Sequence, residues 1–274
     1  VKGEVTVPLQ PGYYELAVYE GGALYSSGNF SLGPGQFLKL QTPIGPVRMT
    51  FGYSVQGGGS GYSPPTLTYR FNGALQTSIL STSPATYYAD PGTTWSVSYS
   101  LPGSSSGERW TTNMTTGVAT GYQASTFTYY HQFLVTIRHT LAGQGNPPPP
   151  SFESIAFGTP VLAQAVPTSP TEVWVDSGAH YSITNPLSGG SSGERWDAGG
   201  TASGTISTPT SISPTYYHQF AHNLSYSLKG GGAPSPPILS YVSFGSQSSF
   251  ALPPTGGTIW LDFDSPFSLP ATLS

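Results

Sequence analysis

The sequence predicts an all-β chain made of tandem Ig-like antiparallel β-sandwich domains. Three observations carry that expectation. The composition disfavours helices, apolar residues recur at every second position, and long motifs return after 86 residues.

Composition comes first. The chain has 274 residues, with 35 Gly, 27 Pro and no Cys. Only 7% of residues are Asp, Glu, Lys or Arg, against about 25% in an ordinary globular protein. The 39 Ser and 31 Thr supply surface polarity instead. Exposed helix faces need the Lys and Glu that are scarce here, and Gly and Pro break helices. Eight basic residues and a net charge of -4 leave no basic footprint for nucleic acid. Without Cys, a disulfide scaffold and a Cys-ligated zinc site are excluded. Tyr, Val, Ile, Phe and Trp fall in short alternating runs that can bury a core, which opposes disorder. A surface with few titrating groups also suits acid or changing pH.

The expected compartment is extracellular. The first residue is Val1, with no basic-apolar-small pattern behind it, so the chain reads as mature after signal-peptide removal. No apolar run is long enough to span a membrane. Asn29, Asn113 and Asn223 each open an Asn-x-Ser/Thr sequon and are candidate N-glycosylation sites.

The repeat is the strongest signal. Ser106-Gly107-Glu108-Arg109-Trp110 returns as Ser192-Gly193-Glu194-Arg195-Trp196. Tyr129-Tyr130-His131-Gln132-Phe133 returns as Tyr216-Tyr217-His218-Gln219-Phe220. Asp90, Asp176 and Asp262 are evenly spaced, each two residues after an aromatic (Tyr88, Trp174, Trp260) and five before another (Trp95, Tyr181, Phe267). Proline pairs open each copy at Pro64, Pro149 and Pro236. The expected division is a divergent β unit over 1–60, sandwich repeats over 61–145 and 146–231, and an incomplete repeat over 232–274. The last stretch carries only the opening half of the pattern. Residues 1–60 end on Met49, Phe51, Tyr53 and Val55, the counterparts of Val135, Ile137, His139 and Leu141.

Within a copy, short runs separated by Pro, Gly and Ser clusters fit a sandwich of roughly seven strands. The most readable strand places Tyr216, His218, Phe220, His222 and Leu224 on one face. Tyr217, Gln219, Ala221 and Asn223 lie on the other, polar face. A second strand alternates Ile259, Leu261 and Phe263 with Trp260, Asp262 and Asp264. The repeated aromatic beside the Asp is either half-covered by a loop or exposed for contact.

No enzyme is expected, and no metal or cofactor. His131 and His218 lie on apolar faces and recur in both whole copies, so they read as hydrogen-bonded structural residues. Glu108, Arg109 and Trp110, with Glu194, Arg195 and Trp196, read as structural anchors, the arginines forking onto Asp90 or Asp176. Asp262 belongs to the same structural set, since calcium would need more oxygen ligands than this stretch supplies. A pair of carboxylates flanking a cleft stays open as an alternative. No nucleophile elbow, phosphate loop or zinc motif is present.

Gly-Glu-Arg-Trp, a Tyr-Tyr-His-Gln strand some twenty residues on and Ser/Thr/Pro-rich joints together resemble the tandem β-domain repeats of archaeal secreted and cell-surface proteins. By architecture the chain also resembles subunits of archaeal extracellular filaments, the threads and bundling pili. That resemblance implies donor-strand complementation between copies of the chain. Residues 2–9, with Val5, Val7 and Leu9 on one face, are the expected donor. An incomplete sandwich would expose unpaired backbone edges unless covered, and a head-to-tail contact that does not close propagates a fibre. Three alternatives stand beside it. The chain could be a carbohydrate-binding or adhesive protein that meets glycans or other cells, or the non-catalytic tail of a secreted hydrolase. Residues 1–60 could also complete 232–274 within one molecule.

Overall fold

The computed structural model describes residues 8–20, 23–36, 45–200 and 202–273. Every regular element among them is a strand, and the sheets stack as sandwiches. The chain forms two compact units, one of Val1–Ser105 with Arg109–His131 and one of Ser106–Glu108 with Gln132–Ser274.

The first unit begins with an antiparallel hairpin of β1 (Gly12–Glu20) and β2 (Ala23–Leu32). Then follow β3 (Val47–Gln56), β4 (Thr66–Phe71), β5 (Ala74–Ile79), β6 (Ala85–Ala89) and β7 (Thr94–Val97). The unit is completed by β8 (Glu108–Thr111), β9 (Thr116–Val118) and residues 123–131 of β10 (Gln123–Ile137). One sheet has the order β5-β4-β7-β9 and the facing one runs β6-β3-β10. Period-two alternation sends Met49, Phe51, Leu67, Trp95, Phe127 and Tyr129 into the core between them. Phe51, Trp95 and Phe127 meet edge to face, with centroids 4.9–5.5 Å apart, the arrangement the ring quadrupole favours.

The second unit repeats the plan. Residues 132–137 of β10 and β11 (Thr140–Ala142) open it, followed by β12 (Ser151–Ala156), β13 (Thr159–Ala165), β14 (Thr171–Asp176) and β15 (His180–Ile183). Next come β16 (Glu194–Asp197), β17 (Ser203–Thr205), β18 (Thr210–Ile212) and β19 (Thr215–Leu224). The sheet β13-β12-β15-β17 matches β5-β4-β7-β9 strand for strand. A third round starts with β20 (Ile238–Ser243), β21 (Ser246–Ala251) and β22 (Gly257–Asp262). Here β20 pairs β21, β22 pairs β19, and Ser240 bridges Ser268.

The sheets are not purely antiparallel. The strand that closes each repeat runs parallel to the one that opened it: β10 along β3, β18 along β10, and β19 along β11. β19 closes one repeat with residues 215–217 and opens the next round with 219–224. A strand that does both must point along the chain's direction of travel, like the opening strand it lies beside. Short alternating runs in the sequence carry no sign of that direction.

Candidate interaction surface

Each round begins with a tight hairpin. Asn72-Gly73, Phe157-Gly158 and Phe244-Gly245 all have positive φ at both positions, the pattern of a type I′ turn. Positive φ is costly for a ring-bearing residue, and a carboxylate holds each turn in place. Asp90 accepts from the backbone N–H groups of Asn72 and Gly73, both at 2.8 Å. Asp176 does the same for Phe157 and Gly158 at 3.0 and 2.7 Å, and Asp262 for Phe244 and Gly245 at 2.9 and 2.7 Å. The evenly spaced aspartates are thus turn clamps, built from charge-assisted bonds.

The repeated Trp and His stack. Trp110 lies 4.6 Å from His131 and Trp196 lies 4.4 Å from His218, each pair 10° from parallel. Glycines make room for the stack: a Cβ on Gly59 would come within 2.8 Å of Trp110, and one on Gly145 within 2.8 Å of Trp196. His131 Nδ1 meets the Gly57 carbonyl at 3.2 Å. His218 Nδ1 donates to the Gln144 carbonyl at 2.6 Å, and its Nε2 lies 2.7 Å from Glu194 Oε1. Hydrogen bonds from Ser191 and from His218 hold the Glu194 carboxyl below the usual range.

Arg195 turns to the opposite side of its strand from Glu194. Its Nε and Nη2 donate to Gln219 Oε1 at 2.9 and 2.8 Å, and Nη1 lies 3.0 Å from Asp197. For Arg195 the expected fork onto Asp176 is replaced by this glutamine and Asp197. Gln219 then donates through Nε2 to Asp262 at 2.8 Å and Ser243 at 3.1 Å. Arg195 therefore reaches the next turn clamp through one side chain, and its guanidinium also lies 4.3 Å over the Trp260 ring. Gln132 repeats the glutamine's role, donating to Asp176 at 2.8 Å. Period two assigned Gln219 to a polar face; it is instead fully buried, as is Gln132. Both faces are covered there because the strand serves two consecutive rounds. The recurring Gln after Tyr-Tyr-His was the available signal.

The third round leaves an open face. Leu239, Leu252, Ile259 and Leu261 are buried and form its floor. Phe267 and Leu269 are 62% and 51% exposed. Their counterparts Trp95 and Val97 in the first unit are 3% and 6% exposed, and Ile183 in the second is buried. The opening strand tells the same story. Val135, Ile137 and His139 are buried, whereas 87 positions later His222 is exposed and Leu224 and Tyr226 are half-buried. Leu228, the counterpart of half-buried Leu141, is exposed. In the closed rounds a tyrosine lies beside the later residues of that strand, Tyr129 against Tyr53 and Tyr216 against His139, and its hydroxyl donates to a carbonyl eight residues after the clamp: Tyr129 to Ser98 at 2.5 Å and Tyr216 to Thr184 at 2.6 Å. Burial, then the nearby Asp197, pushes the Tyr216 hydroxyl up to about 12. Among the described residues, no strand lies along 222–228 opposite β22.

Of the expected donor strand, Val5 and Val7 lie outside the described residues, and Leu9 is exposed. Asn29, Asn113 and Asn223 are all exposed. Among the described residues no three His, Asp or Glu side chains stand together as a metal set, and no helix is long and apolar enough to cross a membrane.

Among the described residues, fold and surface define successive β-sandwich rounds, the third with an uncovered sheet face. No protein-family model and no curated protein matches the chain. Among solved structures it is similar to the TIE protein of Bacillus anthracis, at 12% identity over 91% of this chain and 49% of that one, with a TM-score of 0.26. The chain thus spans about half the length of that protein. It is also similar to a streptococcal ancillary pilin, at 12% identity over 76% of each chain, with a TM-score of 0.23.

Proposed function

We propose that the chain is a structural, non-enzymatic subunit of an extracellular filament or surface assembly, and that copies join head to tail by β-strand addition. The open third round carries this reading. Phe267, Leu269 and Leu228 present apolar side chains, and among the described residues no strand pairs the nearby edge at 222–228 opposite β22, a combination that invites pairing with another chain. An added strand satisfies the backbone by hydrogen bonds and fills alternate pockets with its side chains. The contact joins two different surfaces of the same chain, so it propagates instead of closing. The Arg195–Gln219–Asp262 chain of bonds ties one round to the next, as a load-carrying fibre requires. With a net charge of -4, identical copies repel one another little. The archaeal source is supported by the motif resemblance, and glycans at Asn29, Asn113 and Asn223 by the exposure of all three.

Deleting residues 1–14 and imaging the product by electron microscopy tests strand donation. The intact chain is expected to form fibres and the truncated chain to stay monomeric. Normal fibres from the truncated chain would overturn the proposal. In the carbohydrate-binding alternative Trp174 and Trp260 would stack on sugar rings, and Arg195 already occupies a face of Trp260.

A further inference from the structure

Resting on that reading, we infer which residues make the joint and in what register: the segment from Leu9 to Tyr14 of a second copy, with Tyr13 filling the tyrosine slot of the open round. The chain's own closed rounds supply the template. In the second unit the closing segment is Ser213-Pro214-Thr215-Tyr216-Tyr217, and Tyr216 is completely buried. The N-terminal segment reads Gln10-Pro11-Gly12-Tyr13-Tyr14. Pro-x-Tyr-Tyr recurs, and Leu9 stands where Ile212 stands, four residues before the first tyrosine. Ile212 packs against the second unit's core. Tyr13 is 93% exposed, a large cost in uncovered apolar surface unless something takes up the ring.

The register follows from the closed rounds. Ile137 pairs Ile212 and Leu141 pairs Tyr216, both in parallel. Carried 87 positions forward, Leu224 pairs Leu9 and Leu228 pairs Tyr13 of the incoming copy. The Tyr13 hydroxyl then reaches the Pro270 carbonyl. Ser98, Thr184 and Pro270 each stand eight residues after a clamp aspartate, and the first two already accept a tyrosine hydroxyl. The joint between copies becomes a repeat of the joint within one.

The absence of native Cys makes the test clean, because two introduced cysteines are the sole thiols. Both positions of the pair are exposed, so folding is not at risk. The full chain carrying Tyr13→Cys and Leu228→Cys is oxidised and run on a non-reducing gel. A ladder of disulfide-linked multimers is expected, since paired strands bring Cα atoms within disulfide range. The Leu9→Cys, Leu224→Cys chain should give the same ladder, and the Leu9→Cys, Leu228→Cys chain at least tenfold less. A ladder strongest for the shifted pair would overturn the register while leaving strand addition in place. A cross-linked monomer would overturn the second copy as occupant and identify the chain's own N-terminus. A native chain that stays monomeric at all concentrations in sedimentation velocity would overturn strand addition itself.

Discussion

The stretch from β12 to β19 and the stretch from β20 onward begin alike and end differently. Both open with a strand after a proline pair, turn through Phe-Gly, and clamp that turn with an aspartate. Both bury the second residue of that strand, Phe152 in one and Leu239 in the other. They part after the clamp. Ile183 is covered by the closing strands, and Leu269 at the same place is half in solvent. The local chemistry of a round is therefore enough to build its hairpin and turn, and the second half of the round is what closes the core.

That contrast can be broken by truncation. Ile183→Ala should cost about 2–5 kcal/mol in urea unfolding, the usual range for emptying a packed site. Leu269→Ala should stay within about 0.5 kcal/mol in dilute protein, as exposed positions do. Equal losses would mean that the third round is as closed as the second. The glycines give the next comparison. Gly145 and Gly232 occupy equivalent positions, both at positive φ, but only at Gly145 would a Cβ strike the tryptophan. Gly145→Ala should therefore be the more destabilising by about 1–3 kcal/mol, the cost of overpacking, measured by calorimetry.

Two smaller effects sharpen the comparison by testing what the stretches share. Asp176→Ala and Asp262→Ala should each cost about 1–3 kcal/mol, because each removes bonds from two turn N–H groups to a charged acceptor. Faster hydrogen exchange should follow at Phe157 and Gly158 in the first variant and at Phe244 and Gly245 in the second. The smallest effect concerns acid. The Glu194 carboxyl titrates lower in the folded chain than its ordinary value of 4.5. Its contribution is complete above that value and is lost as pH falls through the lower folded one. Because the group is partly exposed and screened, Glu194→Gln should lower the melting temperature slightly at pH 6, with the gap to the native chain closing below pH 4.

Much of this was legible in the sequence. Strand content, the repeat and the alternation of Tyr216 and His218 into a core are local properties, and period two expresses them directly. The aspartates' even spacing was visible, but their task was not, because it depends on two N–H groups about eighteen residues earlier. Gln219 was assigned to the wrong environment because alternation assumes one buried face per strand, and β19 has neighbours on both. The open face was legible as half a pattern. Its exposed residues could be named only once Phe267 and Leu269 were set against Trp95 and Val97. The likeness of Pro11-Gly12-Tyr13-Tyr14 to Pro214-Thr215-Tyr216-Tyr217 gained meaning only when Tyr216 was seen to fill a slot.

Hydrogen exchange of the backbone amides of residues 225–228, which lie beyond the β19–β22 ladder, followed as the chain is concentrated, tests the central claim most directly. Strand addition from a second copy predicts fast exchange in dilute protein and strong protection at concentrations where assemblies form, with protection lost in the chain lacking residues 1–14. Exchange at one unchanging rate across that range, whether fast or slow, would contradict it.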